Sequence, residues 1–220
     1  MKLETHLHTS EVSPCGQVEA KTAVREYSRI GYDGIVVTDH FGSYSLDLFE
    51  GSPQKKAERF LLGYRAAREE GEKIGLTVLF GAEICLEEGP EDFLLYGLSP
   101  EFFLENPLCY TLSLKKLSEL VHSAGGIVVQ AHPFRAYCRP REAEFLDGVE
   151  VFNGNPRHDS RNYLAAAFAE ANGFSVRTSG SDYHQPQDLA RGGMILESPV
   201  FHERDLARAL AGGALIESDD

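Results

Sequence analysis

The sequence predicts an α/β domain in which short strands alternate with longer helices and wrap into a barrel. Three observations predict it. Short apolar runs alternate with segments of helical period along the whole chain. The runs are apolar at successive positions, as strands buried on both faces are. Metal-capable side chains recur where the runs end, as expected if the C-terminal strand ends converge on one mouth. Repeated βα alternation means a mostly parallel sheet, and about seven units favour closure over an open doubly wound sheet, which stays as the alternative.

The elements follow in order. Residues 2–8 (KLETHLH) read as the first strand, and residues 18–30 as a helix closed by Gly31. Residues 34–38 are a β-branched strand. Residues 53–74 read as one helix that opens on Ser52-Pro53 and stops at Gly75. Strands are expected at 76–82 and 93–98, a helix at 112–124 ended by Gly125-Gly126, and strands at 127–131 and 148–152. A helix at 162–171, strands at 174–178 and 193–196, a helix at 206–211 and a strand at 214–217 complete the chain. No linker, repeat or low-complexity stretch interrupts it, so residues 1–220 read as a single domain.

Composition narrows the partners. At 42% hydrophobic residues the chain is globular, and a net charge of -13 disfavours bulk nucleic acid and anionic membranes. A local cationic cluster or a bound metal would still admit a small phosphorylated molecule. The four cysteines form no CxxC pair, which argues against a zinc knuckle. No signal-like start and no run near the roughly 20 apolar residues of a membrane span is seen. A cytoplasmic protein with reduced thiols is expected; oligomeric state is not readable.

The strand ends carry the chemistry. They read His6-Leu7-His8, Thr38-Asp39-His40, Gly81-Ala82-Glu83, Ala131-His132-Pro133 and Ser181-Asp182-Tyr183-His184. At i and i+2 of a strand, His6 and His8 face the same way, a natural chelate and a poor packing choice. Histidine with carboxylate suits zinc, iron or manganese, and such a site activates water near neutral pH. Any one of these residues alone reads equally as a hydrogen-bonded rim group; five strand ends together do not. His122, His158 and His202 are expected to be surface histidines.

These motifs, in this order and nearly end to end, resemble the PHP family (polymerase and histidinol phosphatase domain). Residues 148–153 (GVEVFN) also resemble a strand that commonly precedes the last motif. The resemblance implies a distorted (β/α)7 TIM-like barrel, a two- or three-metal cluster at its mouth and phosphoester hydrolysis. It implies one ion held by His6, His8, Glu83 and Asp182, a second sharing Glu83 and taking His132, and a third with His40 and His184. One to three ions are therefore expected. The chain departs from the family pattern twice. The stretch Thr9–Gly16 lacks the usual Asp or His, with Cys15 nearest its place, and Leu94 stands where a histidine would align. Cys15 as a thiolate ligand and Cys15 as a small buried residue both stay open.

Arg135 is the leading phosphate-clamp candidate and Arg157 a weaker one, because a guanidinium pairs two oxygens at once. His40 or His184 is a candidate proton donor to the leaving oxygen, as an alternative to binding metal. Two rival readings remain: an amidohydrolase-type enzyme, disfavoured because no lysine ends a strand, and a non-catalytic metal-binding module. Tyr44, Phe49 and Tyr110 belong to the rim segments, with packing as their expected use. Rim loops carry no transferable substrate code.

Overall fold

The computed structural model describes residues 1–218. Its elements are β1 (Lys2–Glu4), α1 (Ala20–Arg29), β2 (Gly34–Val37), β3 (His40–Phe41), α2 (Ser43–Leu46), α3 (Pro53–Phe60) and α4 (Leu62–Ile74). They continue with β4 (Thr77–Phe80), β5 (Ala82–Cys85), β6 (Asp92–Tyr96), α5 (Pro100–Glu105), α6 (Leu114–Ser123), β7 (Ile127–Gln130) and β8 (Gly148–Asn153). The last are α7 (Asn162–Ala171), β9 (Val176–Gly180), β10 (Gly192–Ile195), α8 (Glu203–Leu210) and β11 (Ala214–Glu217).

The strands form two mixed sheets, in the orders β11-β10-β1-β2-β4 and β3-β5-β6-β7-β8-β9. This corrects the expected mostly parallel arrangement. The pairs β5–β6 and β6–β7 are antiparallel, as are β1–β10 and β10–β11. The six residues between β5 and β6 are too few for a crossover, so the chain turns back there. Gly81 alone separates β4 of one sheet from β5 of the other.

Two further expectations change. The helix expected over 53–74 is two helices meeting at Leu61. Leu61, at φ -79° and ψ -1°, caps the end of the first helix and the start of the second. The first strand ends at Glu4 rather than at position 8. The Glu4 carboxylate accepts the backbone N–H groups of Thr5 and His6, so neither amide is left for a ladder. Only Leu7 rejoins, bridging Tyr183 in parallel. The helix at 100–105, with Ser99 at its N-cap position and Pro100 in its first turn, has no counterpart among the elements expected from sequence.

The core has two parts. A large cluster fills the space between helices and sheets, with Tyr27, Phe41, Phe60, Phe80 and Phe103 among its members. A second one gathers Leu3, Val36, Leu79, Leu94, Tyr96, Val129, Ala131 and Met194, contributed by strands of both sheets. The ligand-type residues follow these strands at one end. No helix of the described residues is long and apolar enough to cross a membrane.

Candidate metal centre

Glu83, on β5, stands at the middle of the site and is buried. Its Oε1 lies 3.1 Å from His132 Nε2 and 3.3 Å from His6 Nε2. Its Oε2 lies 3.0 Å from His40 Nδ1 and 3.2 Å from His8 Nε2. Asp182 Oδ1 closes the other side, 3.4 Å from His6 Nε2, 3.5 Å from His8 Nε2 and 3.3 Å from His184 Nδ1. The seven ligands expected from sequence thus meet in one buried volume. The two HxH imidazoles face each other at Nε2, 3.1 Å apart, as their spacing predicts.

Among the described residues, three groups have donor atoms within 4.8 Å of one another: His6, His8 and Glu83; Glu83, Asp92 and His132; and His8, His40 and His184. In the third group His8 joins His40 and His184, and Cys15 belongs to none of the three. Cys15 lines the cavity, and its thiol interacts with the His40 imidazole. In the second group Asp92 is a residue that sequence reasoning missed. Across the antiparallel ladder Glu83 pairs with Leu94, and Cys85 pairs with Asp92. Leu94, directly opposite Glu83, is fully buried in the apolar core, whereas Asp92, two residues further along on the same face, has its carboxylate near Glu83 and His132. Register would have found it; strand boundaries alone could not.

Local structure aims each imidazole. His6 Nδ1 is 2.9 Å from Glu150 Oε1, and His8 Nδ1 is 3.2 Å from the Ser13 hydroxyl, which donates to Asp39 at 2.7 Å. Both Nε2 atoms are thereby turned inward. Glu150 is the second residue missed by sequence reasoning, although its strand was singled out. His184 Nδ1 donates to the Asp182 carbonyl at 2.8 Å, which leaves Nε2 with the lone pair. Gly180 lets the last loop approach β1: a Cβ there would lie 2.4 Å from His6 Cβ. Two of the candidate ligands are held at positive φ, His132 at 28° and Asp182 at 50°, a conformation non-glycine residues adopt at a cost and typically at functional sites.

The electrostatics are those of a carboxylate–imidazole cluster. Burial alone would favour neutral groups. For His6 the charges of Glu150, Asp182 and Glu83 outweigh it and raise the pKa well above the ordinary value. His40 is raised likewise, with Glu83 as the main opponent of burial. Glu83 is held well below the carboxylate range by His6 and His40 against its burial, and Asp182 by Arg135, His6 and His184. Burial and the neighbouring His8 push His184 down to about 3, so it is neutral.

The site opens into a cavity of about 450 Å³. Its wall carries Arg135, Asn155, Arg157 and His158, with Tyr137 against Arg135, and the lining also includes Phe41, Tyr44 and Cys85. Arg135 is buried, ion-paired with Asp182 and hydrogen-bonded to Asn153 Oδ1 at 2.8 Å. Arg157 is paired with Asp188 at 2.8 Å. His158, expected to be a plain surface residue, lines this wall, and partial burial with Arg135 nearby lowers its pKa. His122 pairs with Asp147 at 2.8 Å, away from the cavity. Tyr110 packs edge-on against Phe41, whereas Tyr44 is 61% exposed at the cavity.

No family model matches the sequence, and no curated protein matches it. Solved structures do. A two-domain protein from Bacteroides vulgatus, described as containing a predicted PHP-like metal-dependent phosphoesterase, superposes with a TM-score of 0.71 at 18% identity over 99% of this chain. The chain has a PHP-like fold. It spans 65% of that protein, which is less than two thirds. A protein from Bifidobacterium adolescentis assigned as a metal-dependent phosphoesterase gives 0.59 at 18% identity, covering 96% of both chains. An amidohydrolase from Chromobacterium violaceum, solved with sulfate and without metal, gives 0.60 at 15% identity over 100% of this chain and 99% of that one. Within this PHP-like fold the donor set fits divalent ions: buried imidazole nitrogens and carboxylate oxygens face one another with no apolar group between them.

Proposed function

We propose that the protein is a metal-dependent phosphoesterase that hydrolyses the phosphate ester of a small molecule. The observation that carries this reading is the placement of three donor groups at the floor of one cavity whose wall holds Arg135 and Arg157. His6, His8, Glu83 and Asp182 would hold one ion, Glu83, Asp92 and His132 a second, and His8, His40 and His184 a third. Zinc, manganese or iron suits these donors, with one to three ions per chain. Bound ions would supply an activated water and neutralise charge on the phosphate.

The chain's own residues do the rest. Arg135 offers fixed positive charge beside Asp182, where a phosphate oxygen can be oriented. Arg157 offers a second cation at the same wall, already half-neutralised by Asp188. Neutral His184 keeps a lone pair at Nε2, to bind an ion or to take and return a proton near the leaving oxygen. The buried floor excludes bulk water, which strengthens each of these contacts. The two mixed sheets are read as a distorted (β/α)7 barrel with the site at its mouth, and four free thiols fit a reducing, cytoplasmic setting.

The Chromobacterium neighbour gives the amidohydrolase reading its support. No lysine lines the cavity, and two arginines do, which favours a phosphate. The test is a panel of phosphomonoesters, nucleotides, phosphodiesters and cyclic amides, assayed with manganese-, zinc- and iron-loaded protein. Turnover of a phosphoester that is lost in His6→Ala is expected; turnover confined to the amides, or equal in the variant, overturns the reading.

A further inference from the structure

Glu150 touches none of the cavity and belongs to none of the donor groups, yet both of its oxygens are committed to them. Oε1 lies 2.9 Å from His6 Nδ1. Oε2 accepts the backbone N–H of His132 at 3.1 Å and the side-chain amide of Asn153 at 2.8 Å. Asn153 cannot turn its amide round, because its Oδ1 already accepts from Arg135 at 2.8 Å and from the Asn155 N–H at 3.1 Å. Two of Glu150's three partners are therefore obligate donors. A carboxylate can only accept from the third, so the proton of neutral His6 sits on Nδ1. The lone pair is then on Nε2, the nitrogen that faces His8, Glu83 and Asp182.

We propose that Glu150 is a positioning residue that fixes the ion-binding tautomer of His6 and, through its other oxygen, holds the left-handed backbone of His132, so that one side chain sets the first and second ion positions together. The proposal rests on the reading of His6 and His132 as ligands. It has a consequence peculiar to tautomer control. A glutamine at 150 has the same size, but only one of its two ends accepts. If its oxygen faces His6, its NH2 group meets two donors, the His132 N–H and the Asn153 amide. If it turns, its NH2 group donates to His6 Nδ1, and the imidazole proton moves to Nε2, where it blocks the ion. An alanine leaves room for water, which accepts from Nδ1 and lets His6 keep the useful tautomer.

The test compares metal-free wild type, Glu150→Gln and Glu150→Ala by cobalt(II) titration, read as the visible absorption of the bound ion and as ions per chain, with thermal unfolding of the metal-free proteins as the fold control. Glu150→Gln is expected to bind cobalt 10–100-fold more weakly than wild type, the scale on which partners of ligating histidines act. Glu150→Ala is expected to fall between the two. A role limited to packing predicts the reverse order, with the isostere milder than the truncation; that order, or wild-type affinity in Glu150→Gln, overturns the proposal. Should the alanine variant fail to fold, Glu150→Gln against wild type decides. Wild type that binds no cobalt would sink the metal reading and this proposal with it, whereas cobalt bound equally by wild type and Glu150→Gln sinks this proposal alone.

Discussion

Glu4 and Glu83 are both fully buried carboxylates at the same end of the fold, and they are neutralised in opposite ways. Glu4 Oε1 accepts three backbone N–H groups, from Thr5, His6 and Ser181, at 2.8–3.0 Å. Its Oε2 accepts the hydroxyls of Tyr27 and Ser181. Glu83 faces four imidazoles. The consequences for charge differ. Burial raises the pKa of Glu4, and its hydrogen bonds only partly offset this. Burial acts on Glu83 too, but the charges of His6 and His40 overturn it. Neutral dipoles tie a chain together; an ionised cluster needs a countercharge, which here is a set of protons that divalent ions can replace. Glu4 thus joins β1 to the loop bearing Asp182, and Glu83 is the centre around which ions would sit.

The largest expected effect follows from removing the countercharge on one side. Glu83→Gln leaves imidazolium groups buried without their carboxylate, and breaking such a pair costs about 3–5 kcal/mol. Urea unfolding of the metal-free variant at pH 6 should show this loss. The loss should shrink as pH rises, because His6 and His40 can then shed their protons. In wild type the sign is set by the same groups. The raised His6 and His40 stabilise fully below 6.5, and that contribution is lost as pH rises through their folded values. The lowered Glu83 and Asp182 stabilise above the ordinary carboxyl values, 4.5 and 3.8, and that contribution is lost as pH falls through the folded ones. Metal-free protein should therefore weaken on both sides of neutrality. A metal-free variant as stable as wild type at pH 6 would break the contrast between the two carboxylates.

Glu4→Gln should do much less. A glutamine oxygen in the place of Oε1 keeps the three N–H bonds, and its NH2 group can donate to the Tyr27 and Ser181 hydroxyls, which rotate to accept. The change at pH 7 should stay within about 1 kcal/mol. The pH dependence should change with the sign opposite to that for Glu83. A raised carboxyl stabilises most below 4.5 and its contribution declines as pH rises through the folded value, so the glutamine variant loses that decline. Metal stoichiometry should match wild type. If Glu4→Gln loses metal as Glu83→Gln does, the division into a structural and an ion-holding carboxylate fails.

This division also explains what was legible in the sequence. Ligand-type residues at strand ends were legible because side-chain type and position in an element are local properties: His6, His8, His40, Glu83, His132, Asp182 and His184 converge in space. Helix 162–171 and strand 214–217 were legible to the residue, because Asn172-Gly173 closes the first and Gly212-Gly213 precedes the second. Asp92 was not, because its place depends on the antiparallel register of β5 and β6, which no local pattern encodes. Glu150 was not, because a buried carboxylate inside an apolar strand shows its purpose only when His6 and the His132 amide are seen on either side of it. The strand expected to run to His8 failed for a related reason. The side chain of Glu4 competes for the amides of Thr5 and His6, a contest invisible to a count of apolar alternation.

Asp188 sharpens the comparison as an intermediate case. It is fully buried, and it combines one cation with two backbone donors: Arg157 at 2.8 Å, and the N–H groups of His184 and Gln185, each at 3.0 Å. Its Arg157 partner is partly exposed to solvent. Two amides remain if the cation is removed, and solvent reaches the vacated space. Arg157→Ala should accordingly cost only about 0–1 kcal/mol, the scale of a solvent-screened pair, read by urea unfolding at pH 7. The same variant separates scaffold from substrate contact. Asp188 holds the His184 backbone through bonds that do not involve Arg157, so kcat should stay near wild type. KM for a turned-over phosphoester should rise a few-fold with the cation gone from the cavity wall. A fall in kcat with KM unchanged would instead place Arg157 in the support of His184, and would move Asp188 from the structural kind of buried carboxylate, with Glu4, to the kind that needs its countercharge, with Glu83.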